Sequence, residues 1–131
     1  MEIKVKNVSI KAIDNLCAAG TTQTFTLMTL PPTAYVIDFM ARVKTAFAGV
    51  TTPQVKVGGS TITDSYLILQ DISKTGDLIT GRGGRGFCER IRERSDKAEA
   101  NKTMTATFTS QSGNFSSLTV GEIEFVAVYA E

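Results

Sequence analysis

The sequence has no histidine and no tryptophan, only 2 cysteines and 3 prolines, and almost no net charge, with 14 Lys and Arg against 13 Asp and Glu. Without histidine, Ser-His-Asp and Cys-His nucleophiles, imidazole acid-base chemistry and most catalytic zinc sites are excluded. Cys17 and Cys88 stand far apart and outside any C-x-x-C spacing. They indicate neither a metal knuckle nor a disulfide framework, and read as buried or inert thiols. A net charge of +1 supplies no global field for nucleic acid or an anionic membrane, so either would have to be held locally. No apolar run approaches the length of a membrane span. Met1-Glu2-Ile3-Lys4-Val5-Lys6 alternates charge with apolar residues, where a signal peptide runs basic and then apolar. At 131 residues the expectation is one domain, spanning 1–131, large enough to bury a core without staples.

What is present is alternation. From Glu2 to Ala12 the apolar residues are Ile3 and Val5, then Val8, Ile10 and Ala12. This is a strand whose phase slips near Asn7, as a β-bulge would make it. Asp14 to Gly20 reads as a turn, and Thr22 to Met28 as a second strand. Pro31-Pro32 separates it from the strongest signal in the chain. There Ile37, Phe39, Ala41, Val43, Thr45 and Phe47 share one parity while Asp38, Arg42 and Lys44 share the other, which predicts a long strand lining the core.

Gln54 to Val57 is a short strand between turns, and Asp64 to Ile72 is ambiguous between a helical turn and irregular packing. Met104, Ala106 and Phe108 alternate with threonines in a half-buried strand. The last strand, Val120 to Tyr129, begins polar on one face and becomes apolar on both, which predicts central pairing. About seven short strands with turns between them predict an all-β antiparallel sandwich or jelly roll, with a small barrel as the near alternative. One Arg/Gly-rich insertion loop interrupts the rhythm over about 76–102, where a helical turn from Cys88 to Arg94 is the one regular element expected.

Gly81-Arg82-Gly83-Gly84-Arg85-Gly86 matches G-x-G-x-x-G as a string. A dinucleotide site needs those glycines between a parallel strand and a helix, with an acidic residue about 20 positions later on the next strand. Here Phe87 to Arg94 and a polar run follow inside an antiparallel pattern, so no cofactor is expected. The same arginines, with Arg90, Arg92 and Arg94, resemble a short RGG segment, but Glu89, Glu93 and Asp96 offset part of their charge. That weighs against nucleic acid and toward a protein contact made by Arg82, Arg85, Phe87, Arg90, Arg92 and Arg94, since a guanidinium grips carboxylates bidentately and stacks on rings. Asp64, Asp71 and Asp77 have no spacing that marks a hydrolytic pair, and as scattered loop acids they read as solvated surface more readily than as a calcium site; no metal is expected. Phe39, Phe47, Phe108 and Phe125 are assigned to the core, while Tyr35, Phe87 and Phe115 are left open between interface and local packing.

Leu30-Pro31-Pro32-Thr33-Ala34-Tyr35-Val36-Ile37-Asp38-Phe39, then Val43 to Val50, Val55-Lys56-Val57-Gly58-Gly59 and Asp64-Ser65-Tyr66-Leu67 resemble a recurring block in small tailed-bacteriophage structural proteins. The close resembles that group too, with a Thr-rich strand from Met104 to Thr109, a Gly113-Asn114 turn and Leu118-Thr119-Val120-Gly121-Glu122. The likeness covers most of residues 24–129 apart from the Arg/Gly insertion. It implies a non-enzymatic virion protein of the capsid decoration (cement) or head-associated type, made in the host cytoplasm and carried on the capsid exterior. Its partner would be the major capsid protein, and a homotrimer is the favoured oligomer. A tail, neck or head-fibre base protein is the alternative within the particle, and a nucleic-acid-binding module using the Arg/Gly loop is the alternative outside it.

Overall fold

Extended segments rich in Thr, Val and Phe pair antiparallel throughout the computed structural model, which describes residues 2–16, 19–59, 64, 66–78 and 102–131. The pairing is nested. β1 (Ile3–Lys11) lies against β8 (Val120–Ala130), and β2 (Thr22–Leu30) against β7 (Lys102–Thr109). Inside them, β3 (Tyr35–Ala48) lies against β6 (Gly76–Asp77), and β4 (Gln54–Gly58) against β5 (Leu67–Asp71). Rolling this long hairpin sets β8 beside β3 and β7 beside β4. Two four-stranded sheets result, β1-β8-β3-β6 and β2-β7-β4-β5. That order is the jelly roll, one of the two all-β architectures expected from the alternation.

The inner faces of both sheets supply the core. Phe39, Phe125, Val43 and Ile123 come from the first sheet and Phe108, Met104, Val55 and Leu67 from the second, all buried. Phe39 stacks on Phe125 at 6.1 Å, Phe25 on Phe108 at 5.7 Å, and Phe47 reaches across to Phe108 at 6.3 Å. The four phenylalanines assigned to the core are therefore all in it, and each full burial contributes about 1.5–3 kcal/mol of transfer free energy. A single helical turn, α1 (Ala12–Asn15), carries the chain from β1 to β2. A 3₁₀ turn at Phe115–Ser117 sits between β7 and β8 and buries Phe115.

Several expectations are corrected. β1 has no bulge: its register with β8 runs unbroken from Ile3↔Ala130 to Lys11↔Glu122. Val8, Ile10 and Ala12 share the inward parity with Lys4 and Lys6, and Ile3 and Val5 face solvent. The extra residues are in β3, where the register shifts between Val36 and Asp38 and again around Thr45. These shifts turn Ile37 and Thr45 outward and put Val36 in the core, against the single-parity reading. The ambiguous segment contains the strand β5, and Asp14 and Asn15 belong to α1. Of the interval 76–102, Gly76–Asp77 pairs with β3 and Lys102 opens β7, while residues 79–101 lie outside the described residues.

Close packing fixes one glycine. Gly121, at φ 149°, lies under the Phe47 ring, and a Cβ there would fall inside van der Waals contact with ring carbons. Only glycine lets β8 pass beneath that phenylalanine.

Candidate functional site

The arginines and phenylalanine singled out from sequence, Arg82, Arg85, Phe87, Arg90, Arg92 and Arg94, lie outside the described residues, as do Cys17, Cys88 and the expected turn from Cys88 to Arg94. Of the two other aromatics left open, Phe115 is core, whereas Tyr35 is 55% exposed at the start of β3. Among the described residues no three Asp, Glu or Cys side chains gather to hold a metal ion, and no helix is long and apolar enough to cross a membrane.

The sandwich has two chemically different outer faces. On β2-β7-β4-β5 the register sets Thr22 beside Thr109 and Gln54, Thr24 beside Thr107 and Lys56, and Thr26 beside Thr105. Thr24 donates its hydroxyl to Thr107 Oγ1 at 3.3 Å, so this is a hydrated polar face.

On β1-β8-β3-β6 the outward residues of β8 are flanked on both sides. Successive rows read Ile3, Ala130, Tyr35; then Val5, Val128 and the bulged pair Ile37 and Asp38; then Asn7, Val126, Met40. Val5 is 64% exposed, Ile3 57% and Met40 42%. The next row is charged: Ser9, Glu124, Arg42 and Asp77. Arg42 Nε lies 3.2 Å from Asp77 Oδ1, and Lys44 Nζ lies 3.6 Å from Glu124 Oε2. An apolar band across three strands therefore ends at a ladder of ion pairs. Where the two meet, an open cleft of about 320 Å³ is lined by Met40, Arg42, Asp77, Leu78, Glu124 and Val126. Scattered exposed apolar residues are ordinary; here Ile3, Val5, Tyr35, Ile37 and Met40 are exposed together beside the charged row.

Two titrating groups are held by neighbours. The Lys4 amine donates to Glu131 Oε2 at 3.2 Å, and this bond, with the charges of Glu131 and Glu2, raises its pKa. On the other sheet the Ser73 hydroxyl and its backbone N–H, 2.7 Å from Asp71 Oδ1, pull the Asp71 carboxyl below its ordinary value.

Sequence reasoning missed the apolar band. Its signal was the apolar character of both faces at the end of β8, which pointed correctly to central pairing. The pairing covers the edges of β8, and its outward face, with Val126 and Val128, stays half-exposed.

No protein-family model matches this chain, and no curated protein matches it. Among solved structures it is similar to a chain of the Cyanophage Pam1 capsid asymmetric unit, with a TM-score of 0.57 and 16% identity over 97% of this chain and 83% of that one. It also has a likeness to a chain of the acidic stable capsid structure of Helicobacter pylori bacteriophage KHP30, with a TM-score of 0.43 and 14% identity over 96% and 92%. The first likeness is one of fold; the second is too loose to define a shared fold.

Proposed function

We propose that this chain is a non-enzymatic structural protein of a bacteriophage virion, acting as a decoration (cement) protein on the outside of the head. The observation that carries this reading is the fold likeness to a chain of the Cyanophage Pam1 capsid, which runs over 97% of the present chain. The sheet face described above supports it, because an exposed apolar band suits a scaffold whose work is contact. The mechanism is mechanical: a rigid jelly roll offers that band to the major capsid protein, and symmetry repeats a modest contact until the shell is stiffened. Junctions of threefold or local threefold character favour a homotrimer. In this reading Arg82, Arg85, Phe87, Arg90, Arg92 and Arg94 add a second contact to acidic or aromatic groups of the neighbour.

Cryo-electron microscopy of intact particles, with quantitative mass spectrometry of the same preparation, tests the proposal. The expected result is density on the capsid exterior and a copy number on the order of hundreds, as repetition over a symmetric shell requires. Density confined to the neck or tail defeats the decoration role and leaves the alternative virion positions. Binding to random DNA that falls steeply with salt and vanishes on replacing the five arginines would put a nucleic-acid module in its place.

A further inference from the structure

The edges of the two sheets are not equally protected. Among the described residues, β6 is two residues long, β5 pairs with β4 through a register shift, and β2 carries a bulge between Thr26 and Met28. The β2 edge is also covered by Lys6, whose amine donates to Thr29 O at 3.1 Å. These are the usual devices that keep a strand edge from accepting another strand. β1 has neither bulge nor proline along its nine residues; what guards its edge is charge, from Lys4 and Lys6 on the inward parity, which an oppositely charged strand would satisfy.

Its unpaired groups can be named. Glu2 and Glu131 exchange both backbone hydrogen bonds at 2.9 Å. In an antiparallel ladder such pairs alternate, so Lys4, Lys6, Val8 and Ile10 also bond to β8. The N–H and C=O groups of Ile3, Val5, Asn7, Ser9 and Lys11 then point away from the sheet. The Lys11 N–H is satisfied by Asn15 Oδ1 at 3.0 Å, which closes the edge at that end. From Ile3 to Ser9, no described group meets the outward backbone.

The side chains beside this edge specify what fits. Ile3 and Val5 lie on the outer face and extend the apolar band, while Lys4 and Lys6 lie on the opposite parity. Lys4 already has Glu131 and Glu2 near it, whereas the Lys6 amine is bonded only to a neutral carbonyl. A second copy fits poorly: a two-fold pairing that uses Ile3, Val5, Asn7 and Ser9 together sets Lys6 opposite its own counterpart, and like charges directly opposed destabilise a strand pair. We infer that the β1 edge accepts an extended segment of a partner protein in which acidic residues, facing Lys4 and Lys6, alternate with apolar residues, facing Ile3 and Val5, so that the sheet gains a fifth strand. This stands on the edge geometry and charge alone and does not require a position in a virion.

The test uses the full chain, isotopically labelled, and a capped synthetic peptide Thr-Val-Glu-Val-Glu-Val-Thr, with its Lys-for-Glu counterpart as control. The expected result is saturable binding of the Glu peptide with new hydrogen-exchange protection at the alternating amides Ile3, Val5, Asn7 and Ser9, and weaker binding of the Lys peptide by about tenfold or more. Asn7→Pro removes an outward N–H while leaving the bonds to β8, and should abolish binding. Lys6→Glu should invert the preference between the peptides, a readout that survives if the proline variant does not fold. Equal binding of both peptides, protection elsewhere, no binding, or self-association of the wild-type chain that Asn7→Pro abolishes would each overturn the inference.

Discussion

Substitutions at two glycines separate backbone strain from packing. Gly20 has φ 111° and open space around its Cβ position, whereas Gly121 has φ 149° and the Phe47 ring above it. Gly20→Ala should cost about 1 kcal/mol and Gly121→Ala about 2–4 kcal/mol, because only the second also displaces a buried ring. Urea denaturation of both variants reads the difference. A second residue-scale prediction concerns acid. Asp71 is more acidic in the folded protein, through the Ser73 hydroxyl and N–H, than in the unfolded chain. Its stabilisation is therefore present above the ordinary carboxylate pKa and disappears as pH falls through the lower folded value. Asp71→Asn should flatten the fall in stability below about pH 4, and in Ser73→Ala the Asp71 carboxyl should titrate closer to its ordinary value by NMR. Phe39, Phe47, Phe108 and Phe125 were readable from alternation because a core side chain on a strand has one acceptable face, whereas Phe115, buried in a turn, was not. The role of Gly121 was not, because it depends on Phe47, which is distant in sequence.

At the scale of elements, the two-residue β6 is held to β3 by the Leu78 N–H to Ala41 O bond of 2.9 Å and by the exposed Arg42–Asp77 pair. Asp77→Ala should change global stability by less than about 1 kcal/mol, since exposed pairs contribute little. The Leu78 amide should nonetheless exchange several-fold faster with solvent, and the effect should fade at high salt. Strand existence was largely legible in the sequence, and strand phase was not. The change from Ile3 and Val5 to Val8 and Ile10 has the pattern of a bulge, yet it records a strand whose outer face is apolar at one end. In β3 an uninterrupted apolar parity concealed register shifts, because Ile37 remains apolar after turning outward and Thr45 is at home on either face. Periodicity reports which residues are apolar; it does not report which face the sheet buries. The arginines proposed as a contact could be recognised by composition alone, which carries no geometry.

For the whole molecule, the nested pairing explains why alternation pointed toward a jelly roll without specifying strand order: every pairing outside β4 and β5 joins segments far apart in sequence. The polar threonine face and the apolar band give the sandwich one polar side and one apolar side. Met40→Glu and Tyr35→Ser fall on exposed positions of the apolar side and should leave unfolding within about 1 kcal/mol of wild type. In the decoration reading the same variants should reduce the number of copies retained per purified particle, measured by quantitative mass spectrometry, while a change at Thr24 on the other face should not.

β8 lies between β1 and β3 and is synthesised after both. Until it is made, β1 has no hydrogen-bonding strand neighbour among the described residues and β3 lacks its main one, so this sheet waits for a strand far along the chain. A translation product that stops before Val120 should therefore be a substrate for proteolysis rather than a shortened working protein.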